Sequence, residues 1–581
     1  MWGAPADRPG RPISIMETFL RQIRSALAPL CDLPESDIRI ELPRDPKLGD
    51  FAFPCFVLAK TLKQAPPAIA ATLQSQLAET LDDITVTATG PYLNFRVERA
   101  LLARTVLDAV EAAGDKFGQS DIGNGKTIVI DMSSPNIAKP MSVGHLRSTV
   151  IGAAIQRLHA AVGYKTVSIN HIGDWGSQFG KLIAALDRWG ATVDLDNDPI
   201  PALVALYVRY HAEEESDPTL APAARAAFQE LESGVEGRVR AAWRKLTELS
   251  LAEFDKIYQR LGVSFDLVRG ESFYESHLDA TVERIEQAGI TEMSEGALIV
   301  SLEELEKNMP PCLLRKNDGT TLYATRDLAA LFHRWELYEF ERALYVVGSD
   351  QRLHFRQLKA VLRRMGLDWE ARAEHIDFGM LRLPEGRMST RKGRVVYLND
   401  VLDRAVEEAA KVIAEKNPSL ADSSEIAEQV GIGAVVFNDL RRERVKDVEF
   451  DWKEVLSFEG ETGPYAQYTH ARLASILRKA EKAGEGQAEP AYAQLEDAAP
   501  ILLRMGRYSQ VLATAAEHAE PSEIASYVLT LCREVNSWYA ANRVLGQEPP
   551  ITAARLKLVR AAKTLIHNAL GILGLAAPEE M

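Results

Sequence analysis

The sequence predicts a protein of three parts, with a central α/β domain between an N-terminal α+β domain and a C-terminal all-α helix bundle. The chain has 581 residues, more than one hydrophobic core usually holds. A strand–helix–strand pattern begins at Thr127, and helical spacing alone continues from about residue 400 to the end. The predicted boundaries are 1–15 for a disordered tail, 16–115, 116–399 with a helical insertion at about 186–313, and 400–581.

In the N-terminal domain, helical and strand-like segments alternate. Helical spacing covers Glu17–Leu30, Pro66–Thr80 and Leu101–Ala113, and strand-like segments are Ile38–Leu42 and Ile84–Ala88. A polar segment with three glycines, residues 116–126, predicts a linker to the central domain.

The central domain begins with a βαβ unit. Thr127–Asp131 is a short apolar run that ends in an acid, as a buried parallel strand does. Apolar residues then recur at helical spacing from Leu146 to Leu158, and Thr166–Ile169 is the next strand. Such a unit is right-handed and parallel, which predicts a Rossmann-like sheet. Because another buried strand, Ala343–Val347, follows much later, the helix-rich stretch between them is an insertion or a covering layer.

The composition is typical of a soluble globular protein, with 46% hydrophobic and 26% charged residues. No apolar run approaches the roughly 18 residues of a membrane span, and residues 1–14 lack the apolar segment of a secretion signal. The four cysteines form no Cys-x-x-Cys pair, which favours reduced thiols over a zinc site or a disulfide framework. The net charge of −15 disfavours nucleic-acid binding by the surface as a whole, although a local basic face would suffice.

The segment between the first strand and the following helix predicts a phosphate site. It reads Ser-Ser-Pro-Asn-Ile-Ala-Lys-Pro-Met-Ser-Val-Gly-His-Leu-Arg-Ser-Thr over residues 133–149. Unpaired N–H groups and the helix dipole favour anions at a helix N-terminus. Gly144 leaves room for a flat base, while Lys139 and His145 can donate to phosphate oxygens. A lone Gly-His pair would be an ordinary helix cap, but the whole run favours function.

A second chemical signal is the pair Tyr323 and Asp327, which share a face if the segment is helical. A carboxylate beside a phenol can receive a guanidinium through forked hydrogen bonds. Spacing alone would make this an ordinary surface pair.

Five further segments carry polar or basic residues. Residues 170–180 form a glycine-rich turn after the second strand, and residues 348–354, Gly-Ser-Asp-Gln-Arg-Leu-His, follow the late strand. Residues 386–393, Gly-Arg-Met-Ser-Thr-Arg-Lys-Gly, form a basic loop. In the helical part, residues 441–446 are basic and residues 463–472 contain two tyrosines, a combination that suits phosphate contact and base stacking.

Together these segments resemble the class I aminoacyl-tRNA synthetases in their arginyl form. Residues 142–145 match the first class I signature, with Ser142 in place of its first histidine, and residues 387–391 match the second, with Thr390 in place of its second lysine. Residues 47–54 and 90–95 resemble the domain of that family that contacts the tRNA elbow, and residues after 400 resemble its anticodon-binding bundle. The resemblance covers almost everything after Met16.

The resemblance implies a ligase that uses ATP with Mg²⁺ to activate L-arginine and transfer it to tRNA-Arg. It implies a cytoplasmic protein, by default a monomer, without structural zinc and without a membrane or DNA partner. The catalytic residues it implies are Lys139, Ser142, His145, Arg391 and Lys392, and the ATP contacts are Gly144, His145, Asp350, Met388 and Ser389. The implied arginine contacts are Asp131, Asn136, Tyr323, Asp327 and Gln351, and the implied tRNA contacts are Arg441, Arg444, Lys446, Tyr465 and Tyr468.

Two alternatives stay open at this point. The first is a class I synthetase for another amino acid, against which the acidic and amide side chains of the implied arginine site argue, because they suit a forked cation. The second is a synthetase-like RNA-binding protein without catalysis. Ser142 and Thr390 support it, whereas the presence of Lys139 and His145 argues against it.

Overall fold

The structure, a computed structural model, describes residues 15–43, 45, 47–195, 197, 199–382, 396–418, 420 and 423–581. The predicted tail of residues 1–15 therefore lies almost wholly outside the described residues. Among the described residues, no helix is long and apolar enough to cross a membrane.

The N-terminal part is an α+β unit. Its helices are α1 (Ile15–Cys31), α2 (Ala59–Leu62), α3 (Pro66–Leu77) and α4 (Arg99–Ala113), and its strands are β1 (Phe51–Pro54), β2 (Ile84–Thr89) and β3 (Tyr92–Val97). The strands form an antiparallel sheet in the order β1-β3-β2.

The predicted strand Ile38–Leu42 is wrong. In that segment only Glu41 pairs with the sheet, in a two-way exchange with Ala52. The amide of Ile38 instead donates to Glu35 in a 3-10 turn, and Pro43 has no N–H to donate, so the ladder stops at one bridge.

The central part contains eight helices and nine strands within its described residues. The helices are α5 (Val143–Ala161), α6 (Ser177–Trp189), α7 (Pro199–Glu213), α8 (Leu220–Glu232), α9 (Arg238–Arg260), α10 (Leu278–Gln287), α11 (Tyr323–Tyr338) and α12 (Arg352–Arg364). The strands are β4 (Thr127–Asp131), β5 (Lys165–Asn170), β6 (Leu267–Val268), β7 (Thr291–Ser294), β8 (Ala297–Val300), β9 (Cys312–Arg315), β10 (Arg342–Gly348), β11 (Ala373–Phe378) and β12 (Leu381–Arg382).

Five of these strands form one parallel sheet in the order β11-β10-β4-β5-β6. The chain runs from β4 outward to β6 on one side and then returns to build β10 and β11 on the other. The order therefore reverses between β4 and β10, and the crevice at their carboxyl ends is where open α/β sheets bind ligands. Tyr345 of β10 and Ile169 of β5 flank Asp131 at the end of β4.

The predicted helical insertion is only partly helical. Helices α7 to α10 agree with the prediction, but β7, β8 and β9 form a separate antiparallel sheet. Glu295 and Gly296 make the turn between β7 and β8 with positive φ values of 50° and 81°. The residues of β7 are mostly exposed, so they lack the apolar alternation by which a strand is found in a sequence.

The C-terminal part is a helix bundle, as predicted. After β13 (Val448–Glu449), which pairs with β12, the chain is almost entirely helical. The helices of this part are α13 (Leu398–Lys416), α14 (Ser423–Leu440), α15 (Trp452–Val455), α16 (Gly463–Ala483), α17 (Ala499–Gly506), α18 (Tyr508–His518), α19 (Ser522–Ala541) and α20 (Pro549–Leu573). The helix predicted over Ile501–Glu517 is interrupted at Arg507.

A buried ion pair joins the bundle to the central sheet domain. Arg147 of α5 and Asp439 of α14 are 1% and 2% exposed, and the Arg147 Nε atom lies 3.0 Å from Asp439 Oδ2. The same guanidinium donates to the carbonyls of Gly379, Lys446 and Arg444 over 2.6, 3.0 and 3.2 Å. One side chain thus satisfies acceptors from both parts of the chain.

Candidate active site

Three of the polar segments singled out in the sequence lie at the carboxyl edge of the parallel sheet, namely residues 133–149, 170–180 and 348–354. The loop after β4 lies against the loop after β5, because Asn136 and Gly173 form a parallel bridge. The turn Ser349–Gln351 follows β10 at the same edge. This is the crevice that the reversal of strand order predicts.

The loop after β4 has a strained backbone. Ser133, Ser134 and Ala138 all have positive φ, at 73°, 52° and 59°. Non-glycine residues in this region persist only when their surroundings hold them. Here the Ser133 amide donates to Ser148 Oγ over 2.9 Å, and the Ala138 amide donates to Ser250 Oγ over 2.8 Å. These two hydrogen bonds support the positive φ values of the loop.

His145 lies in the first turn of α5, and Ser142 orients it. The backbone N–H of Ser142 donates to His145 Nδ1 over 3.0 Å, and the Ser142 hydroxyl oxygen is 3.1 Å from the same atom. Burial lowers the pKa of His145, and the charge of Lys139 acts in the same direction. The imidazole is therefore neutral at pH 7, and because Nδ1 accepts a hydrogen bond, the proton is on Nε2. His145 thus presents one N–H donor of fixed direction.

Lys139 and Gly144 complete this side of the crevice. The Lys139 Nζ atom lies 3.3 Å from Gln178 Oε1, in the first turn of α6, and burial lowers the pKa of its amine. Gly144 is exposed, and a side chain there would meet only the Ser142 hydroxyl. The N-terminus of α5 is open to a ligand.

Tyr323 and Asp327 lie on α11, as the spacing predicted. Tyr323 is 62% exposed, whereas Asp327 is partly buried. His354 of α12 contacts both: its Nε2 atom is 2.6 Å from Asp327 Oδ2, and its ring centroid is 5.2 Å from that of Tyr323. His354 is the last residue of the segment 348–354, which follows β10. In the structure it holds Asp327.

Glu271 is a further acidic residue of this site, which the sequence analysis missed. Burial raises the pKa of Glu271 to about 7; the charge of Arg326 opposes this, while Asp327, Asp174 and Glu275 reinforce it. The charges of Glu271 and Asp327 therefore act on each other. Because Arg326 already pairs with Glu275 over 2.7 Å, these two carboxylates favour a further cation. Neither periodicity nor spacing marks Glu271, since it follows the two-residue strand β6 and a short loop.

The structure changes the interpretation of Asp131. This side chain is 5% exposed, and its Oδ2 atom lies 2.7 Å from Nη2 of Arg334, which is 1% exposed. The Arg334 guanidinium also lies over the ring of Tyr345, 5.2 Å from its centroid. A guanidinium of the protein itself therefore already neutralises Asp131, so we no longer treat Asp131 as a direct arginine contact.

Asp350 and Gln351 are exposed at the end of β10, and Gln351 Nε2 donates to Asp350 Oδ2 over 3.2 Å. Met388, Ser389, Thr390, Arg391 and Lys392 lie outside the described residues. The backbone beyond this segment returns to the first motif, because Leu398 N donates to Met141 O over 2.9 Å and Tyr397 bridges Ser142.

Two of the implied tRNA contacts are engaged within the protein. Arg441 pairs with Glu454 and donates to the carbonyl of Glu461, and Arg444 lies 3.0 Å from Asp377 Oδ1. We therefore no longer treat these two arginines as tRNA contacts, because their side chains are partly buried and their charges are already compensated.

The other three residues of that set have different exposures. Lys446 is exposed, with Glu443 3.1 Å away, and Tyr468 is 40% exposed. Tyr465 is partly buried, and its hydroxyl accepts a hydrogen bond from Asn536 over 3.1 Å.

Comparison with known families agrees with this geometry. The family "tRNA synthetases class I (R), catalytic domain" matches residues 107–452. "DALR anticodon binding domain" matches residues 466–581, and "Arginyl tRNA synthetase N terminal domain" matches residues 17–97. The fold and the crevice are those of a class I aminoacyl-tRNA synthetase.

Curated relatives named arginine–tRNA ligase narrow this further. One from Clostridium botulinum is 44% identical over 93% of this chain and 96% of its own length, and one from Latilactobacillus sakei is 45% identical over 97% and 100%. The solved arginyl-tRNA synthetase of Thermus thermophilus superposes with a TM-score of 0.80 at 27% identity, covering 97% of this chain and all of that one. The chain belongs to the arginyl-tRNA synthetase family, and its activity is that of an arginine–tRNA ligase.

Proposed function

We propose that the ligation occurs in two steps at the crevice between β4 and β10. The arginine carboxylate attacks the α-phosphorus of ATP, which forms arginyl-adenylate and releases pyrophosphate. The terminal ribose hydroxyl of tRNA-Arg then attacks the carbonyl carbon of the adenylate and releases AMP. The observation that carries this proposal is the acidic region of Glu271 and Asp327, which the loop after β5 links to the loop that leads into α5. Asp174 of that loop bonds to Ser272, and Gly173 bridges Asn136.

The arginine side chain binds to the acidic region. A guanidinium presents five N–H donors in a planar fork, and the oxygens of Asp327, Glu271 and Tyr323 supply matching acceptors. Lysine would leave acceptors unpaired, which disfavours it. Asn136 and Gln351, two exposed amides on either side of the crevice, provide the remaining polar contacts to the amino acid.

ATP binds at the N-terminus of α5, with Mg²⁺ carried on its phosphates. The free backbone N–H groups, the Nε2–H of His145 and the ammonium of Lys139 all favour developing negative charge. Gly144 and Asp350 line the nucleotide. Ser142 acts through His145, whose tautomer and direction it sets. The predicted contacts to the same developing negative charge also include Met388, Ser389, Arg391 and Lys392. No side chain forms a covalent intermediate, so rate enhancement comes from alignment and electrostatics.

The tRNA contacts both ends of the protein. The N-terminal domain, with proposed limits 16–115, binds the elbow, and the bundle from residue 400 binds the anticodon. Tyr468 and Lys446 are the exposed aromatic and basic side chains we retain for this surface, and Tyr465 supports them from a partly buried position. The central domain spans 116–399. We further propose that the protein is a cytoplasmic monomer.

The test is arginine-dependent exchange between ATP and pyrophosphate, with and without tRNA-Arg. We expect exchange that requires arginine, and that requires the tRNA as well, as is usual for the arginyl family. Lysine in place of arginine should give no exchange. If the protein binds tRNA but shows no exchange with either amino acid, the proposed site is wrong. Ser142 and Thr390 would then support the alternative of a synthetase-like RNA-binding protein without catalysis.

The raised pKa of Glu271 predicts a pH dependence of arginine affinity. Because the ionised carboxylate binds the cation, affinity should rise with pH up to about 7 and level off above it, by as much as about tenfold per unit below 7. The measurement is the dissociation constant of arginine between pH 5.5 and 8.5. Glu271→Gln should flatten the profile, and an unchanged profile in that variant would assign the titration to another group.

A further inference from the structure

The loop after β5 contacts two segments that supply proposed arginine contacts, the loop of Asn136 and the segment of Glu271. On one side, Gly173 holds the backbone around Asn136: Gly173 N donates to Pro135 O over 3.0 Å, and Ile137 N donates to Gly173 O over 3.1 Å. A side chain at Gly173 would collide with Oδ1 of Asn136. Glycine is therefore required there for close approach, and the amide of Asn136 is packed against the loop.

On the other side, Asp174 holds the segment that carries Glu271. Asp174 is 4% exposed, its Oδ1 accepts from Ser272 N over 2.9 Å, and its Oδ2 accepts from Ser272 Oγ over 2.6 Å. Glu271 N donates to Ile172 O over 3.1 Å. A side chain at Gly270 would collide with the Asp174 carboxylate. The residues on both sides of Glu271 are thus tied to the loop after β5.

Helix α9 supports this arrangement from behind. Trp243 Nε1 donates to the backbone carbonyl of Asp174 over 2.8 Å. Ser250, two turns further along the same helix, accepts from Ala138 N over 2.8 Å. One rigid helix therefore buttresses both the loop of Asn136 and the loop of Asp174.

We propose that Asp174, together with Gly173, is a positioning residue for arginine recognition. It does not touch the substrate. It sets the separation between Asn136 and Glu271 so that both reach one arginine molecule, and this rests on the proposed arginine contacts. Because Asp174 bonds to the Glu271 segment and not to the N-terminus of α5, its effect falls on arginine and not on ATP.

The principal test compares Asp174→Asn and Ser272→Ala with the unaltered enzyme in tRNA-dependent exchange. Asparagine keeps the size of the side chain but turns an N–H₂ group toward one of the Ser272 donors. We expect Asp174→Asn to raise the KM for arginine about 10- to 100-fold, from the loss of a buried charged hydrogen bond, and Ser272→Ala to raise it about 3- to 10-fold. The KM for ATP should stay within about twofold of the unaltered value in both variants.

Glu370→Gln is the matched control. Glu370 is also a buried carboxylate, 8% exposed, which accepts from Arg363 over 3.0 Å in the central part of the chain. Its loss should lower the thermal midpoint without changing the KM for arginine. If Asp174→Asn behaves in the same way, Asp174 is only structural and the proposal is overturned.

Glu271→Gln separates failure of the pocket from failure of the positioning role. If Glu271→Gln leaves the KM for arginine unchanged, the proposed contact between Glu271 and arginine is wrong. If Glu271→Gln raises the KM for arginine while the Asp174 and Ser272 variants leave it unchanged, the contact stands and only the positioning role is wrong. If Asp174→Asn does not fold, Gly173→Ala and Ser272→Ala decide, because both leave the buried carboxylate in place; a raised KM for arginine in both supports the proposal, and an unchanged KM in either overturns it.

Discussion

Asp327→Ala is expected to lower kcat/KM for arginine by about 100- to 1000-fold, because truncating one partner of a buried, hydrogen-bonded charge pair costs about 2–5 kcal/mol. Asp327 is the carboxylate that His354 fixes in place, and it shares its region with Glu271. Alanine would leave the guanidinium of the substrate with one acidic partner and His354 without its acceptor. The measurement is tRNA-dependent exchange at varied arginine concentration.

Glu336→Ala serves as the control for that experiment. Glu336 lies on the same helix, is exposed and pairs with Arg284 over 2.8 Å. Its loss should therefore change kcat/KM for arginine by no more than about twofold. Near-normal use of arginine by Asp327→Ala would show that the assigned pocket is not where arginine binds.

Arg147→Met is expected to destabilise the protein by about 3–5 kcal/mol, because removing one partner of a buried ion pair leaves the other charge without compensation. Burial raises the pKa of Asp439, and the charge of Arg147 opposes this, so loss of the guanidinium would favour a protonated carboxyl. Three carbonyls would also lose their donor. A thermal or urea unfolding curve measures the loss.

The double variant Arg147→Met with Asp439→Leu tests the cause. It removes both charges, so we expect it to recover more than half of the lost stability. A double variant as unstable as Arg147→Met alone would assign the loss to the carbonyl acceptors and not to the stranded carboxylate.

The sequence predicted the elements that carry a clear pattern. Strand β4 ends where its apolar run meets an acid, and α5 follows the spacing from Leu146 to Leu158. The break after α17 was concealed by the helical spacing of this segment. Helix α17 ends at Gly506, which lies against Met16, and a larger residue there would collide with the Met16 side chain. The exposed strand β7 had no pattern to find.

The site was predictable where its geometry is local. Tyr323 and Asp327 are four residues apart on one helix, and Ser142 and His145 share one helical turn. The rest depends on pairs that are distant in the chain, such as Asp131 with Arg334. The basic cluster of residues 441–446 likewise looks available for binding in the sequence, because only the fold brings Asp377 beside Arg444. Only tertiary structure distinguishes a charge that is available from one that is compensated.

The order of strands in the parallel sheet also has a consequence for synthesis of the chain. Ile128 of the central strand β4 pairs with Arg342, more than 200 residues later. At roughly 5–20 residues per second on the ribosome, one edge of β4 waits about 10–40 s for its partner. An unpaired apolar edge invites pairing with other chains. Overproduction should therefore give more soluble enzyme when nascent chains are scarce relative to chaperones, as at low induction.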